Sequence, residues 1–143
     1  MLIGEYTHSI DDKNRLSFPV KFRQEMGKTV VIAPGLEKSL FVFTTEEWKK
    51  KVEQLAEGSF QPDNRSFSRY FIGGAVEVSV DANGRILIPE SLKERVGITD
   101  KVTIVGVYSR VELWEEQTWK TYKQTVESKA DELANRLGDI GIL

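Results

Sequence analysis

Seventeen residues near the start of the chain, Asp11 to Gly27 (DDKNRLSFPVKFRQEMG), return without a gap as Asp81 to Gly97 (DANGRILIPESLKERVG). The offset of 70 holds at every landmark: Asp11 with Asp81, Arg15 with Arg85, Pro19 with Pro89, Gly27 with Gly97. The apolar register agrees as well, pairing Leu16 with Ile86, Phe18 with Ile88, Phe22 with Leu92 and Met26 with Val96. A chain of 143 residues built this way holds two versions of one small unit, and neither is large enough to bury a core alone. The two are therefore expected to pair about a pseudo-twofold axis with interleaved strands.

Each copy reads as β-β-α-β-β-α. In the first, Gly4 to Ile10 alternates as a strand, Asp11 to Arg15 is a hairpin tip and Arg15 to Phe18 its return strand. Asn14 tolerates positive φ, and its counterpart Gly84 meets the same backbone requirement without a side chain. Pro19 suits the first turn of a short helix with Phe22 and Met26 on one stripe, closed by Gly27. Thr29 to Ala33 and Leu40 to Phe43 read as strands around a Pro34-Gly35 turn. Thr44 then caps a helix whose apolar face is Trp48, Val52 and Leu55. The second copy repeats this with strands at Ala75 to Val80, Ile86 to Ile88, Val102 to Val107 and Val111 to Trp114. Its short helix spans Pro89 to Val96, and Trp119 starts a helix as Trp48 does. The expected organisation is repeat 1 over 5–47, a helical connector over 48–74 carrying Phe67, Tyr70 and Phe71, repeat 2 over 76–119, and a C-terminal helix and tail over 120–143. Val126, Ala130, Leu133, Ala134 and Leu137 form one amphipathic stripe there, suited either to a subunit contact or to packing on its own domain. The fold class is α+β, mainly β, with the two units forming a pseudo-twofold double-hairpin barrel flanked by helices.

Enzyme chemistry finds little to work with. His8 is the only histidine, there is no cysteine, and neither a phosphate loop nor zinc-ligand spacing occurs. No catalytic residue, metal site, cofactor or small-molecule substrate is expected. Paired carboxylates such as Glu46-Glu47 and Glu115-Glu116 fit helix N-termini, and Trp48, Trp114 and Trp119 fall in apolar register as core. No apolar run is long enough for a membrane span, the opening residues lack a signal-peptide pattern, and the absence of cysteine fits a reducing compartment, so a cytoplasmic location is expected. A net charge of −2 and a pI near 5.6 run against nucleic-acid binding unless cations are placed locally.

The duplicated hairpin tip offers such a placement. Each carries Asp-x-x-x-Arg: Asp11 with Arg15, and Asp81 with Arg85. One reading is structural, an Asx-turn closed by an ion pair. The other has the Asp orient a guanidinium that forks onto guanine O6 and N7 or clamps a phosphate, with Lys13, Arg23, Lys21 and Lys93 near enough to add phosphate contacts.

Taken together, the paired Asp-x-x-x-Arg hairpins, the following Pro and short helix, an opening resembling M-x-x-G and the closing -ELWEEQTW- resemble the MraZ family, with tandem SpoVT/AbrB-type swapped-hairpin domains, from Met1 to about Leu137. The resemblance implies a bacterial transcriptional regulator, generally a repressor of the division and cell-wall gene cluster. It implies binding of double-stranded DNA at short G-containing direct repeats, and a ring-shaped homo-oligomer on the nucleoid. It assigns DNA contact to Arg15 and Arg85, with Lys13, Asn14, Asn83 and Gly84 beside them and Asp11 and Asp81 orienting. Asn14 in place of the usual Gly, and Ala82-Asn83 where a Lys is usual, make the first copy the expected primary reader. An antitoxin-like interaction module of the same fold is the alternative, although such proteins carry one hairpin copy followed by a disordered tail.

Overall fold

The computed structural model of the chain describes residues 1–58 and 60–143. Copy 1 contributes β1 (Leu2–Ser9), β2 (Arg15–Ser17), α1 (Val20–Met26), β3 (Thr29–Pro34), β4 (Leu40–Thr44) and α2 (Thr45–Ala56). After α3 (Pro62–Phe71), copy 2 contributes β5 (Val76–Ser79), β6 (Arg85–Leu87), α4 (Glu90–Arg95), β7 (Lys101–Tyr108), β8 (Val111–Glu115) and α5 (Glu116–Ser128). A last helix, α6, spans Ala130–Asp139. The expected element order is present in both copies.

The strands interleave. Six form one antiparallel sheet in the order β1-β7-β8-β4-β3-β5, and β2 pairs with β6 in a separate two-stranded ribbon. Exchanging each strand for its counterpart in the other copy reverses the six-strand order onto itself, so the pseudo-twofold axis passes between β4 and β8 and between β2 and β6. The registers obey it: Leu16 faces Ile86 at the centre of the ribbon, and Phe41 faces Glu112 at the centre of the β4–β8 pair. The offset grows to 72 in the third strands (Val30 faces Val78 and Val102 faces His8, each the penultimate residue of its strand) because the turn after Gly97 is longer than the one after Gly27.

Three expectations are corrected here. The tips are closed turns, but the strands that leave them part: β1 goes to β7 and β2 to β6, so neither tip caps a simple two-stranded hairpin. The sheet is also open, with β1 and β5 as its edges, rather than a closed barrel. The second strand of each copy has three residues, too short to bridge one sheet edge to the other. The C-terminal stripe likewise bends: Lys129, at φ −115° and ψ 7°, divides it into α5 and α6.

Alternation along the strands makes two cores, one on each face of the large sheet. On the inner face Val30, Ile32, Val102 and Ile104 meet Leu16 and Ile86 of the ribbon and Phe22, Met26, Leu92 and Val96 of the short helices. On the outer face Ala33, Phe41 and Phe43 meet Phe71, with Trp48, Leu55, Phe67 and Tyr70 packed around them. On the copy 2 side, Trp114 is buried against Trp119 and Tyr122 of α5, at ring separations of 5.2 and 4.9 Å. Thr44 caps α2 by accepting from the Glu47 N–H. Glu115 does the same for α5, and the donated N–H groups of Gln117 and Thr118 hold its carboxyl below the usual range.

Leu16 is fully buried on the pseudo-twofold axis, where a cavity would open between both copies at once. Leu16→Ala is expected to lower the unfolding free energy by about 2–5 kcal/mol, measured as a shift of the urea midpoint with both copies unfolding in a single transition.

Candidate nucleic-acid interface

The two tips are built alike. In copy 1 the Asp11 N–H donates to Arg15 O (3.0 Å) and the Asn14 N–H to Asp11 O (3.1 Å). Asp11 Oδ1 accepts from the backbone N–H groups of Lys13 (2.9 Å) and Arg15 (2.8 Å), while Oδ2 accepts from Arg15 Nε (2.7 Å). In copy 2 Asp81 Oδ1 accepts from Asn83 N and Arg85 N (both 2.9 Å), and Oδ2 from Arg85 Nε (2.8 Å). One carboxylate therefore both closes the turn and fixes the guanidinium, so the structural and orienting readings of the aspartate describe the same set of bonds. The arginine uses one of its five N–H donors on it, and the side chains of Arg15 and Arg85 stay about one-third exposed (33% and 30%).

Each tip is clamped by the opposite copy. The Ile88 N–H donates to Asn14 O (2.8 Å) and the Phe18 N–H to Gly84 O (2.9 Å). Asn14 sits at φ 60° and Gly84 at φ 75°, as the sequence requires. Beyond the backbone the tips differ. The Asn14 side chain is held by α4, donating to Glu90 (2.7 Å) and accepting from Lys93 (2.9 Å). Gly84 has no side chain to offer, and Arg23 of α1 lies across it: a methyl group there would come within 2.3 Å of Arg23 Nε. Arg23 Nε donates to Phe18 O (3.0 Å). Lys13 and Asn83 are exposed at their tips, with their backbone N–H groups bound to the aspartates.

The strand pairing then fixes where the arginines stand. Leu16 and Ile86 point into the inner core, so Arg15, Ser17, Arg85 and Leu87 lie on the opposite, outward side of the ribbon. Arg15 pairs with Leu87 and Ser17 with Arg85, which makes the two arginines diagonal neighbours across the ribbon, a spacing of about 7–8 Å. This juxtaposition across copies is absent from any one-copy reading of the motif. Leu87, 54% exposed, shares that face and was hidden in an apolar strand pattern; its signal is the alternation Arg85, Leu87 against Ile86, Ile88. His8 is half-buried and donates from Nδ1 to Ser17 O (2.7 Å), tying β1 to the ribbon. Among the described residues no cluster of His, Cys, Asp or Glu could hold a metal ion, and no helix is long and apolar enough to cross a membrane.

The family described as "MraZ protein, putative antitoxin-like" matches twice, over residues 1–70 and again over 71–139. The chain belongs to the MraZ family. Relatives named "Transcriptional regulator MraZ" match end to end: one from Thermoanaerobacter sp. (strain X514) is 41% identical over 99% of this chain and 100% of its own. Those from Syntrophomonas wolfei and Acetivibrio thermocellus are each 40% identical over the same shares. The relatives of this family are named as regulators and not as enzymes. The internal boundary of the double match, at residue 70, falls in α3, between the two strand sets.

The backbone N–H of Arg15, then its side chain and the N–H of Lys13, hold Asp11 below its ordinary value of 3.8; Arg85 and Asn83 do the same for Asp81. A carboxyl depressed in the folded chain supports folding above its unfolded value and loses that support as pH falls through the folded one. The tips should therefore be intact at neutral pH and start to loosen only below pH 3.8. Carboxyl-carbon NMR titration should give midpoints under 3.8 for both aspartates; ordinary midpoints would mean that the turns are open in solution.

Proposed function

We propose that the protein is a sequence-specific DNA-binding transcriptional regulator, a repressor of the division and cell-wall gene cluster and of its own operon, reading short G-containing direct repeats. The observation that carries this reading is the pair of guanidinium groups on the outer face of the β2–β6 ribbon, each aimed by a carboxylate. A two-stranded ribbon fits the major groove, and arginine forked onto guanine O6 and N7 discriminates by about 1–3 kcal/mol. A donor group already fixed by Asp11 or Asp81 has less side-chain freedom to lose on binding. Lys13 and Asn83 at the tips, with Arg23 and Lys93 behind them, supply phosphate contacts that set register. Asn14 and Gly84 act through the backbone, and the side chain of Asn14 sets the stance of Lys93. Residues 5–47 and 76–119 are the two reading units in this account, 48–74 connects them, and 120–143 serves assembly.

The net charge of −2 gives a single subunit little general attraction for DNA. A ring-shaped homo-oligomer in the cytoplasm, associated with the nucleoid, answers this by presenting several ribbons to several repeats, so that weak contacts multiply through effective concentration. Affinity should then rise steeply with repeat number and fall steeply with salt. Mobility shifts on one repeat against several check this, and equal affinities would overturn the multiplicity.

Selection of bound DNA from a random pool should return G-containing repeats for the unaltered protein. Arg15→Ala should bind those sequences about tenfold to a hundredfold more weakly, with an unchanged thermal melt, and Arg85→Ala should lose less. An Arg15→Ala protein that unfolds would make the pair structural instead. The "antitoxin-like" wording of the family description favours a second reading, a protein-interaction module that binds DNA for autoregulation. Stoichiometric copurification with a small toxin, lost on altering a surface away from Arg15, would establish it.

A further inference from the structure

Four side chains stand on the outward face of the β2–β6 ribbon: Arg15 opposite Leu87, and Ser17 opposite Arg85. The bonds from the Phe18 N–H to Gly84 O and from the Ile88 N–H to Asn14 O extend the same register by one residue at each end. Main-chain bonding therefore falls at the Asn14–Ile88, Leu16–Ile86 and Phe18–Gly84 positions. The outward pairs occupy the non-hydrogen-bonded positions between them, where facing side chains stand closest, about 4.5–5.5 Å between Cβ atoms. Each guanidinium thus has one close companion, supplied by the other copy: Leu87 beside Arg15, and Ser17 beside Arg85.

The pseudo-twofold axis exchanges Arg15 with Arg85, and it carries Ser17 onto the place of Leu87. The face is symmetric in its cations and asymmetric in their companions. A serine hydroxyl donates to or accepts from any base edge; leucine does neither. Leu87 is not held by the core, which Ile86 and Ile88 fill from the same strand at 1% and 0% exposure, against 54% for Leu87. A lone leucine on a protein surface calls for no explanation. This one lies two residues from Arg85 and directly across from Arg15, so whatever the arginines bind covers it and removes its apolar surface from water. Among the groups that bases present in the major groove, the apolar one is the C5-methyl of thymine.

We propose that Leu87 is a specificity-determining residue: it packs on the C5-methyl of a thymine in the base pair beside the guanine that Arg15 reads. The inference rests on the DNA reading proposed above. It gives the ribbon a direction along the duplex. A face with serine beside both arginines would make the same base contacts with a step and with its inverse. With leucine on one side only, the orientation that brings a thymine methyl to Leu87 binds more tightly than the reverse.

Uracil differs from thymine only in lacking that methyl, so the test alters the DNA and leaves the protein untouched. Mobility shifts measure binding of the full-length protein to the repeats recovered from the random pool, and to the same duplexes with each thymine position in turn changed to uracil in every repeat. One such change should weaken binding about fourfold for each repeat engaged. Leu87→Ser should bind the thymine and uracil duplexes alike while keeping its guanine preference and its circular dichroism spectrum, and Leu87→Met, which keeps an apolar tip, should keep the thymine preference. If Leu87→Ser fails to fold, the uracil series on the unaltered protein and on Leu87→Met still decides. Recovered repeats with no fixed thymine beside the guanines, equal binding across the uracil series, or a uracil effect that survives in Leu87→Ser overturns the role of Leu87. Guanine-dependent binding that is lost in Arg15→Ala would leave the DNA reading standing in each of those cases. Recovery of no guanine-containing sequence by the unaltered protein would remove both.

Discussion

Everything in this molecule depends on strands being exchanged between two copies of one unit. Neither copy owns a complete layer: the first strand of each pairs with the third of the other, and the second strands pair only with one another. Leu16 and Ile86 meet on the axis, and the main-chain bonds from Phe18 to Gly84 and from Ile88 to Asn14 fasten each tip to the other copy. A backbone group buried without a partner is costly, so these bonds make the two tips and the inner core one cooperative unit. Precision at the tips follows from packing some distance away.

The same exchange creates the candidate interface. Asp11 and Asp81 organise their turns locally, through backbone N–H groups two and four residues on, and would do so in either copy alone. What a single copy cannot do is bring two such arginines onto one face. The β2–β6 register does that, and it also sets Leu87 and Ser17 between them. The ion pairs themselves sit at the surface, about one-third exposed, and contribute little to stability; their effect is on direction. Helices α2, α3 and α5 lie across the sheet from this face, so they leave both tips uncovered.

The near-symmetry is instructive where it fails. Asn14 and Gly84 serve one backbone conformation, yet the first recruits Lys93 and Glu90 and the second makes room for Arg23. The longer turn after Gly97 shifts the third strand of copy 2 without disturbing its pairing. Phe41 faces Glu112 on the axis, and Arg110 reconciles the two by lying 4.3 Å over the Phe41 ring while binding the Glu112 carboxylate. Duplication sets the plan, and the later substitutions assign the two halves different neighbours.

Much of this was written in the chain. The repeat, the turn chemistry of Asp11 and Asp81, the helix caps and the apolar register are local properties, set by φ preferences and side-chain periodicity within a few residues, and they announce both the β-β-α-β-β-α units and the arginines that matter. Which strand pairs with which is not local: Arg15 to Ser17 would suit a hairpin with β1 as well as a ribbon with β6, because hydrogen bonding along a strand edge carries no address. Tertiary packing chose the ribbon, since only that arrangement buries Leu16 against Ile86 and completes the inner core from both copies. The same packing left the sheet open, turned α3 inward and left α6 exposed, for burial is settled by what else is near, and no stretch of sequence contains its own neighbours.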